Sequence, residues 1–223
     1  MNYYKNLYIL GTSHVSQKSV DDVEDFILNN KPDIVAIELD KKRFYALTHE
    51  LKASFRNIFS LGVKAYIINV VGTYFEKKIG KIVGVSPGSE MKKAIELAKK
   101  NNIRLSLIDQ DINITLKKLS KAVTIGVIFK FIGEIIGSIL FKKRIIGSFD
   151  IRKVPPQEVI NDILKYVKEK YLKIYVVLIE ERNEVMAKNL YKLINKYNDK
   201  KIFAIVGAGH ESEIINIIKR IET

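Results

Sequence analysis

Short apolar runs bounded by turn residues alternate along this chain with segments whose apolar positions recur at helical spacing. That alternation predicts a largely parallel sheet with helices on its faces. Leu7 to Leu10 forms a first strand, ended by Gly11, and Ser16 to Asn29 forms a helix with Val20, Val23, Phe26 and Ile27 on one face. Ser19-Val-Asp-Asp22 has the form of a capping box, and Lys31-Pro32 stops the helix. Ile34 to Ile37 is continuously apolar, as in a strand buried on both faces, which leaves Glu38 at its carboxyl end. Helices are expected over Lys41 to Leu51, Asn57 to Glu76 and Glu90 to Asn101, with a loop from Gly84 to Ser89. Arg104 to Ile108 supplies a third strand and delivers Asp109-Gln110-Asp111 at its end, before another helix that starts near Asn113.

The most apolar tract runs from Ala122 to Gly147, but Lys130 and Glu134 interrupt it. It therefore suits helices packed on the protein body or on a membrane surface better than a spanning helix of about 20 apolar residues. Pro155-Pro156 opens a helix that reaches Tyr171. Leu172, Tyr175, Val176, Ile179, Met186, Leu190 and Leu193 follow a 3.6-residue period, predicting one long helix with Glu180, Glu181 and Arg182 near its middle, although Tyr175 to Ile179 also has strand-like β-branching. Ile202 to Val206 is the last strand and Glu211 to Ile221 an amphipathic helix. Together these elements predict a single α/β domain over residues 1–223, a mostly parallel central sheet flanked by helices, with a helical insertion around residues 114–150.

Composition changes this picture in three ways. The net charge of +13 favours anions, acidic lipid surfaces and unspecific nucleic-acid contact. The lysine clusters lack interleaved aromatics, so no specific nucleic-acid partner is expected. With no cysteine, any metal must be held by imidazole, carboxylate or carbonyl groups. A bias to Lys, Ile and Glu, with glutamine confined to Gln17, Gln110 and Gln157, is thermophile-like, and an AT-rich genome gives the same bias. The first residues lack the form of a signal peptide, so a cytoplasmic start is expected, and association into homo-oligomers is left open.

Chemistry is suggested by an echo. Leu-Tyr-Ile-Leu-Gly-Thr-Ser-His14 and Phe-Ala-Ile-Val-Gly-Ala-Gly-His210 each end a strand in glycine and place histidine three residues later. In parallel sheets, ligands bind outside the carboxyl ends of the strands, so the two imidazoles could meet there beside Glu38, Asp109 and Asp111. Imidazoles and carboxylates in that mixture suit zinc, manganese or cobalt. Each residue also has a plainer explanation. The histidines could cap helices, Glu38 could end a solvated turn, Asp109 or Asp111 could cap the next helix, and Glu90 could complement a helix dipole. Arg182 could form an ordinary pair within its helix, and His49 is expected to face solvent.

The ordered series Gly11-Thr-Ser-His14, Ile37-Glu38-Leu39-Asp40 with Arg43, Gly88-Ser-Glu90-Met91, Asp109-Gln-Asp111-Ile112 with Thr115-Leu116, Glu181-Arg182 and Gly207-Ala-Gly-His210 resembles the TraB (pheromone shutdown, PrgY-like) family. That family is similar to Tiki metalloproteases, GumN-like proteins, erythromycin esterase and the haem-binding ChaN proteins. The resemblance implies an erythromycin-esterase/ChaN-like fold and a metal-dependent peptidase or related hydrolase acting on a peptide or small molecule. A divalent ion, Mn, Co or Zn, would then be held by His14, Glu38 and His210. Glu90 or Asp109 would act as general base, Arg182 would stabilise the oxyanion or hold a substrate carboxylate, and Arg43 and Asp111 would contact substrate. Two further outcomes are compatible with the same resemblance, a metal-free esterase with His14 as base and a non-catalytic module that binds a peptide or haem. Gln110 stands where relatives often carry arginine, removing a cation from the site. Relatives often carry hydrophobic helices beyond the last motif, so membrane attachment is expected only of a longer form.

Overall fold

The structure, a computed structural model, describes residues 1–13, 16–49, 62–83, 85–140 and 156–222. Its sheet contains β1 (Asn2–Tyr4), β2 (Leu7–Thr12), β3 (Ile34–Ile37), β4 (Arg104–Leu107) and β5 (Ile202–Gly207) in the order β1-β2-β5-β3-β4. Only β1 is antiparallel to its neighbour. The last strand in sequence thus fills the slot between β2 and β3, pairing Leu7 and Ile34 with Ile202 from either side. The single α/β domain and its mostly parallel sheet are as the alternating elements predict.

Strand periodicity divides the core. Leu7, Ile9, Ile34, Ala36, Ile202, Ala204 and Val206 face one layer, formed by Met186, Ala187, Leu190 and Ile194 of one helix and Ile214, Ile215, Ile217 and Ile218 of another. Tyr8, Leu10, Val35, Ile37, Phe203 and Ile205 face the other, formed by α1 (Gln17–Asn30) and α4 (Ser89–Lys100). Side chains alternate along a strand, so buried strands apolar at every position serve both layers. Between β3 and α4 lie α2 (Lys41–Thr48) and α3 (Val63–Val83); the remainder of the expected Lys41–Leu51 and Asn57–Glu76 helices, residues 50–61, falls outside the described residues.

A second cluster lies beside the sheet. It joins Ala65 and Ile68 of α3, Leu116 and Leu119 of α5 (Ile112–Ala122), Ile128 of α6 (Ile125–Leu140), Val167 of α7 (Gln157–Lys170) and Ile174 of the single turn α8 (Leu172–Tyr175). These helices account for the expected insertion as far as Leu140; residues 141–155, including Pro155, lie outside the described residues. No helix among the described residues is long and apolar enough to cross a membrane. Glu134, one of the charges that interrupt the apolar tract, ties α6 to its neighbours. Its carboxylate accepts from Tyr166 and Tyr171 hydroxyls at 2.7 Å each and from Lys170 Nζ at 2.8 Å.

Those donors, Lys170 first, hold the Glu134 carboxyl down from 4.5 to about 2. A lowered carboxyl pKa means the contact is complete above pH 4.5 and is lost as pH falls towards 2. Backbone hydrogen exchange in α6 is therefore expected to accelerate over that window in the native chain and to show no such acid step in Glu134→Gln. An identical acid step in both proteins would refute this anchoring.

From α8 the chain passes through a π-helical turn, Val176–Glu180, into α9 (Glu181–Lys196), and after β5 ends with α10 (Glu211–Glu222). The long helix expected over 172–197 is present, but its apolar face is displaced. Ile174 and Val177 bury into the helical cluster, Asn183, Met186, Ala187, Leu190 and Ile194 into the sheet side, and Leu172 is exposed. The cause is the wider π turn, whose i to i+5 bonding resets the phase of the helix where it moves from one core to the other.

Two further corrections concern the N-terminus. Strand β1 was not expected, being three residues long and separated from β2 only by a turn in which Lys5 has φ 53°. The capping box at Ser19–Asp22 does not form, because the helix already begins at Gln17 and the Ser19 hydroxyl instead accepts the Ser13 N–H at 3.0 Å.

Candidate functional site

The parallel strands end together. Thr12 pairs with Gly207 and Ile37 with both Ile205 and Leu107, so residues leaving β2, β5, β3 and β4 emerge on one edge. At Gly11 that edge is tight: a Cβ there would stand 3.0 Å from the Ala208 backbone and overlap the Glu211 carboxylate. Glycine is required by this close approach of the two Gly-x-x-His loops rather than by its backbone angles. His14 itself lies outside the described residues.

Glu38, 3% exposed, follows β3 directly, and its Oε2 accepts the Gly207 N–H at 2.5 Å. Asp109 and Gln110 follow β4 and are also buried. Arg182, from the first turn of α9, reaches across the edge and joins them. Its Nη2 donates to Glu38 Oε1 and, at 2.7 Å, to Asp109 Oδ2, while Nε donates to Asp109 Oδ1 at 3.2 Å. Its Nη1 donates to the Leu178 carbonyl at 3.3 Å, in the π turn, and lies 3.4 Å from His210 Nε2. His210 Nε2 is 3.6 Å from Glu38 Oε1, and its other nitrogen, Nδ1, is 2.6 Å from Asn183 Oδ1.

A second guanidinium closes the outer side. Arg43 Nη2 donates to Asp109 Oδ2, and Nε donates to Asp40 Oδ2 at 2.6 Å. Asp40 also caps α2, accepting the Lys42 and Arg43 N–H groups at 2.8 and 3.2 Å. Burial alone would raise the Asp109 carboxyl, but Arg182 and Arg43 outweigh it and the Glu38 charge, and hold it below the usual carboxylate range. Arg182 and Arg43, both raised despite burial, stay charged. The carboxylates of Glu38, Asp40 and Asp109 against these two guanidiniums leave one negative charge in the group.

Of the candidates named from sequence, the edge therefore gathers Glu38, Asp109, Arg182, Arg43 and His210 into one bonded group. Asp111 is the N-cap of α5, accepting the Asn113 N–H at 2.8 Å and Lys42 Nζ at 3.0 Å. Glu90 is buried in the first turn of α4, near the positive end of that helix. His49 faces solvent, stacked on Tyr45. Gln110 donates to Thr115 Oγ1 at 2.9 Å, an internal bond. Asn183 was missed by sequence reasoning. Its signal was available in the order Asn183, Met186, Ala187, Leu190, Ile194, a polar residue standing on the buried stripe of α9.

Among the described residues no group of three or more histidine and carboxylate side chains is arranged to hold a metal ion. Glu38 and His210 do bring an oxygen and a nitrogen together, but Arg182 already contacts both atoms. A dication about 4 Å from a guanidinium would meet roughly 8 kcal/mol of repulsion at an effective dielectric near 20. As arranged, the described residues do not fit a resident ion.

The model of the TraB/PrgY/gumN family matches residues 4–222. Uncharacterized protein MJ1365 of Methanocaldococcus jannaschii is 35% identical over 228 aligned residues, covering 97% of this chain and 54% of that protein. The chain thus spans about half the length of that relative. With a match that takes in β2 to β5 and the whole bonded group from Glu38 to His210, the chain belongs to the TraB/PrgY/gumN family.

Proposed function

We propose that the chain is a hydrolase of the peptidase or amidase type, working at the strand edge where Arg182 bridges Glu38, Asp109 and His210. The observation that supports this most is the presence of an imidazole nitrogen beside a fixed guanidinium in a buried group of paired charges. Once water displaces the long 3.4 Å contact from Arg182 Nη1, His210 Nε2 takes a proton from that water, which attacks the carbonyl carbon of the scissile bond. Arg182, already charged and held in place, stabilises the oxygen anion that develops, and the protonated ring returns the proton to the leaving amine. Asp109, kept below the usual carboxylate range, is too weak a base for this step and serves to orient the two arginines. Arg43, about a third exposed, stands where a substrate would first meet the group.

A metal-dependent form of the same reading is favoured by one feature, the 3.6 Å approach of Glu38 Oε1 to His210 Nε2. It would need His14 as a third ligand and Arg182 displaced from its contacts with Glu38 and His210. The purified chain should be assayed against a panel of peptides, amides and esters by mass spectrometry, with its metal content measured in parallel. His210→Ala is expected to lose about 10²–10⁴-fold in rate. Turnover unaffected by that substitution, or saturable peptide or haem binding with no product, would overturn the proposal. Stoichiometric Mn, Co or Zn with activity lost on chelation would select the metal-dependent form.

A further inference from the structure

Nothing so far accounts for Asn183. Its side chain is 1% exposed, on a helical stripe otherwise apolar, and burying an amide there is costly unless it is hydrogen-bonded. Its Oδ1 lies 2.6 Å from His210 Nδ1. A neutral imidazole has one N–H and one bare nitrogen, and its partners decide which is which. Arginine can only donate. Because Arg182 Nη1 faces His210 Nε2 at 3.4 Å, a hydrogen on Nε2 would set donor against donor. Glu38 Oε1, the acceptor on that side, is farther, at 3.6 Å, beyond hydrogen-bond reach and already bonded to Arg182 Nη2. Nε2 is therefore the bare nitrogen and the hydrogen belongs on Nδ1, where an acceptor can receive it. The asparagine oxygen is that acceptor.

We propose that Asn183 is a positioning residue that locks His210 in the Nδ1–H tautomer and aims the bare Nε2 at the strand edge beside Glu38 and Arg182. Its catalytic meaning rests on the hydrolase reading, since a base must present its lone pair to water; the tautomer itself does not. The π turn places Arg182 and Asn183, consecutive residues, so that one meets each nitrogen of the same ring. A carboxylate at this position would also accept the Nδ1 hydrogen, whereas an apolar side chain could not.

The test is nitrogen-15 NMR of the histidine rings in the full chain at about pH 8, well above the usual imidazole pKa of about 6.5. The chain has three histidines, so the His210 signals are assigned as those lost in His210→Ala. The native ring is expected to show a protonated Nδ1 and a bare Nε2. Asn183→Asp should keep that pattern, and Asn183→Ala should move the ring towards the Nε2–H form. A native ring protonated on Nε2 would overturn the proposal without any variant needing to fold, and so would an Asn183→Ala ring that keeps its Nδ1 hydrogen. The native tautomer as expected, in a protein that turns over none of the panel, would leave this inference standing and defeat only the hydrolase reading.

Discussion

Replacing Arg182 by alanine is expected to lower stability by about 3–5 kcal/mol, because it leaves two buried carboxylates without their shared cation. Glu38 would keep the Gly207 N–H bond, and Asp109 would keep Arg43 and the Gln110 N–H. The effect is large because the partners are buried; an exposed ion pair would contribute about 0–1 kcal/mol. Urea unfolding of the native and variant chains measures it. Adding Glu38→Gln should recover part of the loss, since it removes the charge left unpaired. The deficit should also depend on pH. Asp109, lowered in the native fold, contributes stability above its unfolded pKa of about 3.9 and loses it as pH falls through the lowered value. Without Arg182, burial acts with less opposition and favours the protonated acid, so native and variant stabilities should converge in acid. A cost below about 1 kcal/mol at neutral pH would mean that the group is solvated and that Arg182 does not organise the edge.

The second large effect concerns the central strand. Phe203 is fully buried on β5 and stacks on Phe26 of α1 with centroids 4.0 Å apart, among Val35, Ile37 and Ile205. Phe203→Ala removes a whole ring between sheet and helix and is expected to cost about 3–5 kcal/mol. Because β5 carries pairing partners on both sides and leads into Gly207 and His210, the loss should be felt at the site as well as in the core. Phe203→Leu, which keeps most of the volume, is expected to cost much less. If the alanine and leucine variants unfolded at the same denaturant concentration, the ring would not be bearing on this layer.

Much of the fold was legible because the relevant physics is local. Ile34 to Ile37 announces a strand buried on both faces by being apolar throughout, and it occupies those residues in the sheet. Glu211 to Ile221 shows a helical stripe, and α10 forms with Ile214, Ile217 and Ile218 buried. The strand ends followed from the same patterns, so Glu38, Asp109 and His210 could be assigned to one edge from spacing and the rule for parallel sheets. Asp111 could be read as a helix cap, because capping involves only the next two or three residues. Ser19 misled for the same kind of reason: its hydroxyl had a local use available, but the chain entering the helix offered Ser13 N–H instead.

The sequence by itself determined the order of strands and helices and the residues that leave the strand ends, since both follow from periodicity within a dozen residues. Only the tertiary structure decided how those residues are bonded. Arg182 lies 144 positions from Glu38 and 73 from Asp109, and it meets them because β5 inserts beside β3 and α9 crosses their ends. The displaced face of the long helix and the role of Asn183 belong to the same class. Each depends on which surfaces come together after the chain has folded back, and an intrinsic period in sequence contains no information about a partner that lies on another element.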